Sequence, residues 1–137
     1  MKKIISIMVC VLCLFMTACS NKTSEKGLWE AATYTEDAEF GNGAKTVVVE
    51  VKAEEKTVTF TVNTDKETLG DALLEHGLIS GEKGPYGLYV KVVNGITADY
   101  DINQSYWSLT KAGGYMQTGV DSTVISSGEH YELTYTK

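Results

Sequence analysis

The chain predicts an α+β fold: a single β-grasp-like domain with a mixed sheet and one main helix, following a signal peptide and a short linker. Three observations lead there. From Lys45 onward most segments alternate apolar and polar residues with a period of two; one segment carries helical spacing together with start and stop signals; and the order is two strands, the helix, then further strands. About 119 residues follow the leader, enough for one domain that buries roughly two thirds of its unfolded surface.

The leader comes first. MKKIISIMVCVLCLFMTACS opens with two lysines, runs apolar from Ile4 to Met16 and ends in small residues before Cys19. Basic, apolar, then small is the order of an export signal, and the apolar run is shorter than the roughly 20 residues of a membrane span. Residues 1–18 are therefore read as a lipoprotein signal peptide. Met16, Thr17, Ala18 and Cys19 resemble a bacterial lipobox, which makes Cys19 the expected lipidation site; an ordinary signal cut after an alanine, or an uncleaved anchor, is the alternative. With two acyl chains the protein would sit stably in the lipid bilayer, on the extracytoplasmic face of the bacterial cell membrane. Cys10 and Cys13 fall in the leader, so no thiol remains for a disulfide, a metal site or a nucleophile.

Residues 19–43 are read as the lipidated cysteine and a tether whose later half lies on the domain, with Trp29 pinning it there. The domain proper is assigned to residues 44–137. Val47, Val49 and Val51 share one face of a strand, as do Val58, Phe60 and Val62, and AEEK at 53–56 joins the two as a hairpin. TLGDALLEHG follows as the helix, with Thr68 and Asp71 approximating a capping box, Leu69, Ala72, Leu73 and Leu74 as its buried stripe, and Gly77 as a left-handed stop. In GLYVKVVNGITADY the pair Asn94-Gly95 between apolar runs signals a tight hairpin. YWSLTK and the residues after Gly114 form another strand pair around AGG. Last, YELTYT alternates Tyr131, Leu133 and Tyr135 with polar residues after the turn SSGE.

Charge narrows the partners. Without Lys2 and Lys3, ten lysines face eighteen acidic residues, about −8, and arginine is absent. Phosphate and base-edge recognition depend on arginine and a positive field, so the sequence argues against nucleic acid. The scattered charges read as a solvated surface.

Catalytic chemistry has little to stand on. His76 and His130 are far apart and read as surface histidines, His76 suiting the negative end of the helix dipole. No nucleophile elbow, zinc-protease helix, P-loop or dinucleotide fingerprint occurs, and GNG at 41–43 and GEKG at 81–84 read as turns. Asp99, Asp101 and Asn103 alternate like calcium-loop ligands but lack the glycine and distal glutamate such a loop needs. The expectation is no enzyme, no cofactor and no metal site.

Aromatic residues carry more. Tyr86, Tyr89, Tyr100, Tyr106, Trp107 and Tyr115 crowd into thirty positions. Strand neighbours point to opposite faces, so Tyr106 and Trp107 cannot enter the same core. Trp107 shares a face with Leu109 and is the core candidate on pattern; Tyr106, Ser108 and Thr110 share the more polar face.

T-L-x-x-A-L at 68–73, GLYVKVVNGITAD at 87–99, SYWSL at 105–109, GVDS at 119–122 and SGEHYELTY at 127–135 together resemble the DUF4430 family, domains similar to the C-terminal domain of transcobalamin and intrinsic factor. The resemblance implies a β-grasp-like fold and a corrinoid (cobalamin-like) ligand. It points to Tyr106, Trp107, Ser108 and Leu109 as ligand-binding residues, with Gly87, Leu88 and Tyr89 beside them. The function it implies is that of a non-catalytic, membrane-anchored binding domain delivering a small ligand to a membrane importer component. A surface protein–protein interaction module without a small-molecule ligand is the alternative.

Overall fold

The computed structural model describes residues 27–137; the leader and the expected lipidation at Cys19 lie outside the described residues. In chain order the elements are β1 (Ala38–Phe40), β2 (Lys45–Ala53), β3 (Lys56–Thr64), helix α1 (Leu69–Glu75), β4 (Ile79–Gly84), β5 (Gly87–Val93), β6 (Ile96–Thr97), the short helix α2 (Tyr100–Asn103), β7 (Tyr106–Lys111), β8 (Gly114–Tyr115) and β9 (His130–Thr136). Two sheets form, a six-stranded one ordered β1-β3-β2-β9-β7-β8 and a three-stranded one ordered β4-β5-β6. The large sheet is mixed, because β1 runs parallel to β3 and β2 parallel to β9 while the remaining pairs are antiparallel. The fold is thus α+β with one main helix, as the element order predicts.

Local chemistry explains each boundary. The Thr68 hydroxyl accepts from the Asp71 N–H at 3.2 Å and starts α1, and Gly77 stops it at φ 67°. Glu54 (φ 56°), Asn94 (φ 53°) with Gly95 (φ 80°), and Ala112 (φ 50°) with Gly113 (φ 86°) take the left-handed conformations of the hairpin turns β2–β3, β5–β6 and β7–β8. Asp99 accepts from the Asp101 N–H at 3.0 Å, and Asn103 accepts from the Ser105 N–H at 3.2 Å. These side chains cap α2 and the turn after it.

Period two gives the large sheet two unlike faces. Val47, Val49 and Val51 of β2, Val58, Phe60 and Val62 of β3, Tyr131 and Leu133 of β9, and Trp107 of β7 are buried on one face, with Leu109 partly so. Helix α1 and the small sheet cover that face; Leu69, Leu73, Ile79, Val93 and Ile96 join the same core. Thr59, Thr61, Glu50, Lys52, His130, Glu132, Thr134, Ser108 and Thr110 lie on the opposite face, which none of the described elements covers.

Three expectations shift. First, the later half of the tether does more than lie on the domain: it supplies strand β1 of the large sheet. Ala38 and Phe40 pair with Phe60 and Val62 as an edge strand, and Tyr34, Phe40 and Phe60 meet edge-to-face with centroids 5.2–5.7 Å apart. Trp29 donates from Nε1 to the Ala53 carbonyl at 2.9 Å. Second, GEKG is strand rather than turn: it ends β4, with Glu82 opposite Tyr89 and Lys83 opposite Leu88. Gly81 sits beside a bulge, where a Cβ would lie 1.9 Å from the Tyr89 carbonyl oxygen. Third, the strand after Gly114 is only two residues long, with one further backbone bond from the Met116 N–H to the Leu109 carbonyl at 3.2 Å.

Glu129 ties the β9 end of the core to charge. Burial raises its pKa, but hydrogen bonds from the Lys111 ammonium, the Ser126 N–H and the Tyr131 hydroxyl outweigh it, and the net shift is downward from 4.5. Burial in turn pushes the Tyr131 phenol up, as does its bond to Glu129. A depressed carboxylate stabilises the fold above its unfolded pKa, and the contribution is lost as pH falls through the lower folded value. Stability should therefore fall as pH drops below 4.5. In Glu129→Gln that part of the acid dependence should vanish, read as a flatter plot of urea midpoint against pH.

Candidate ligand-binding surface

The structure divides the residues singled out from sequence between three places. Trp107 is only 8% exposed, its ring meeting Tyr135 edge-on at 5.7 Å and its Nε1–H donating to the Ile96 carbonyl at 3.2 Å. It is a core residue, which withdraws it from the ligand-facing set. The reason is the small sheet: β6 lies over the apolar face of β7 and offers the indole a buried acceptor. Leu109, opposite Leu133 in the ladder, goes the same way. Tyr106 and Ser108 lie on the open face; Tyr106 is exposed, and the Ser108 hydroxyl donates to the Thr134 carbonyl at 3.4 Å.

Gly87, Leu88 and Tyr89 form the third group, at the tip of the β4–β5 hairpin. Gly87 takes φ 102°, and the Leu88 N–H donates to Asp121 Oδ2 at 3.0 Å, which fastens the hairpin to the GVDS turn. The tip holds an open concavity of about 330 Å³ lined by Gly84, Pro85, Tyr86, Gly87, Leu88, Tyr89 and Gly119. Tyr86 is 95% exposed and Tyr89 is exposed beside it, while Leu88 turns inward to the core. Two tyrosines standing free on a hairpin braced by a carboxylate form an aromatic platform. Tyr86 belongs to the aromatic run of the sequence, where nothing local distinguishes it from its neighbours; the bracing role of Asp121 is a tertiary fact.

On the open face a second group gathers. One ligand atom from each of Glu50, His130 and Glu132 lies within 4.8 Å of the other two, and His130 Nε2 is 2.7 Å from Glu50 Oε2. His130 is therefore not an isolated surface histidine. His76 likewise leaves that reading, its ring lying half-buried against Phe40 with centroids 5.6 Å apart.

Taken together, the molecule is a small α+β domain with one sheet face covered, one face bare, and a projecting aromatic hairpin. The chain belongs to the family described as Domain of unknown function (DUF4430), whose model matches residues 66–137. A crystal structure of a candidate metal-binding protein from Ruminococcus gnavus ATCC 29149 is similar to it at 36% identity and TM-score 0.65, over 68% of this chain and 97% of that one. Haptocorrin in complex with Cbi is similar at TM-score 0.58 over 72% of this chain, with 20% identity, a likeness of fold that spans 26% of the haptocorrin chain. It places the transcobalamin-like resemblance of the sequence on a shared fold. No curated protein matches the chain in sequence.

Proposed function

We propose that this protein is a non-catalytic binding domain, held on the extracytoplasmic face of the membrane through lipid on Cys19, that takes a corrinoid at the β4–β5 hairpin tip for delivery to a membrane importer. The observation that carries this reading is the aromatic platform: Tyr86 and Tyr89 exposed around a concavity fastened by Asp121. Free tyrosines suit the flat, largely apolar face of a macrocycle, since each ring has large area and little side-chain entropy to lose. The fold shared with haptocorrin, which was crystallised with Cbi, supports the choice of ligand class.

Size sets the affinity. The concavity is at the small end of the 300–1,000 Å³ range of ligand pockets, so it contacts one side of a large ligand. Two tyrosines burying about 150–250 Å² each, at about 25 cal/mol/Å², give a gross gain of about 8–12 kcal/mol, from which ordering and association costs are subtracted. Affinity in the micromolar range or weaker follows, suited to a domain that hands its ligand on.

Calorimetric titration of the full chain in detergent with cobinamide and with cobalamin tests the reading. The expected result is micromolar binding that Tyr86→Ala weakens about tenfold, equivalent to about 1.4 kcal/mol, with an unchanged unfolding midpoint. No heat at high micromolar ligand would sink the corrinoid proposal and leave the protein-interaction reading, to be tested by pull-down from membranes.

A further inference from the structure

We propose that the bare face of the large sheet carries a site for a divalent transition-metal ion of the zinc class, built from Glu50 of β2 and His130 and Glu132 of β9. The proposal is independent of what the hairpin tip binds. Parallel pairing sets Glu50 directly beside Glu132 and Val48 beside His130, so three ligand-type side chains project from two adjacent strands. Their ligand atoms already lie within 4.8 Å of one another.

Glu132 provides the second observation. It is only 6% exposed, although it lies on the polar face. The Thr110 hydroxyl and the Gly113 N–H both donate to its Oε1 at 2.9 Å, so the β7–β8 turn folds over that oxygen. Its Oε2 is buried and has no hydrogen-bond partner among the described residues. A buried carboxylate oxygen without a partner is costly, and buried charges are normally paired or bound to metal. Adjacent like charges on neighbouring strands also repel. Glu50 faces Glu132 across the ladder, and the neighbouring Lys52 ammonium reaches Glu50 only at 3.8 Å. A divalent cation between the two carboxylates would remove both problems.

The donor set selects the class of ion. An imidazole nitrogen with two carboxylate oxygens suits zinc and related transition metals, whereas calcium and magnesium prefer oxygen alone. Zinc bonds of about 2.0–2.2 Å need the three donors closer than they stand, which small rotations of the solvent-exposed His130 and half-exposed Glu50 side chains supply. Thr110 and Gly113 orient Glu132 from behind, as outer-shell donors do in built metal sites. Three protein donors leave one coordination position open for water or for a donor atom from another molecule.

The test is calorimetric titration of the untagged full chain, stripped with a chelator, with zinc chloride. One ion per chain is expected. His130→Ala and Glu132→Gln should each weaken it at least tenfold, and Thr110→Val about tenfold, the loss that outer-shell changes bring. His130→Ala is the decisive variant, since the residue is exposed and lies on the face opposite the core, so its removal leaves the core intact. Cobalt(II) should give visible absorption bands of a low-coordinate site in the wild type that are lost in His130→Ala. Absence of binding, or binding that His130→Ala leaves unchanged, overturns the proposal.

Discussion

Trp107→Ala is expected to lower the unfolding free energy of the full chain by about 3–5 kcal/mol, the range for removing a large aromatic side chain from a packed core. The indole is 8% exposed and stands edge-on to Tyr135, its ladder partner. It also joins the two sheets: Nε1–H donates to the Ile96 carbonyl of β6, a buried contact across eleven positions. Truncation removes the packed area, leaves a cavity between the sheets and strips that carbonyl of its partner. Trp107→Phe should recover much of the packing and lose the hydrogen bond, a remainder of about 1–3 kcal/mol. Urea unfolding in detergent measures both. A variant as stable as the wild type that binds ligand more weakly would return Trp107 to the ligand face.

The second large effect is expected at Asn94, where Asn94→Ala should cost about 2–3 kcal/mol. Asn94 is 1% exposed and sits at φ 53° in the β5–β6 turn, a conformation asparagine tolerates better than alanine. Its side chain acts as a short length of strand, accepting from the Tyr34 N–H at 2.8 Å and donating to the Tyr34 carbonyl at 2.7 Å. The Asn94 carbonyl accepts from the Thr33 N–H at 2.9 Å, and its own N–H donates to the Leu78 carbonyl at 2.8 Å. Loss of the amide leaves both polar groups of Tyr34 half-buried and unpaired. The neighbouring Gly95 shows how close the segment lies, since a Cβ there would stand 2.5 Å from the Ala31 carbonyl oxygen. Besides the lower urea midpoint, Asn94→Ala should speed proteolytic cleavage around residues 35–37. Unchanged cleavage and stability would show that the segment is held by Trp29 and the Tyr34–Phe40–Phe60 cluster alone.

Features set by neighbours in the chain were legible. The Thr68 cap, the Gly77 stop and the Asn94-Gly95 turn depend on a few consecutive residues, and each stands where the pattern places it. Features that join distant segments were not. Asn94 reads as a turn residue, yet its clamp on Tyr34 spans 60 positions. His130 reads as a surface histidine, yet its partner Glu50 is 80 positions away, brought beside it by parallel pairing that no local signal encodes. Residues 28–40 have no period because so many of their contacts are taken from distant segments: the β2–β3 hairpin, β3 and the β5–β6 turn.

The same division holds for Tyr106 and Trp107. Alternation by itself determined that the two side chains part company, and the valine-rich strands determined that a buried face exists for one of them. Only the tertiary structure decided which. The small sheet covers the face that Trp107 shares with Leu109 and supplies Ile96 as its acceptor, so the indole belongs to the core, while Tyr106 stays exposed on the bare face and Tyr86 and Tyr89 stand exposed on the projecting hairpin. The physical reason is that a strand's periodicity defines two faces but carries no information about which of them another layer will remove from water.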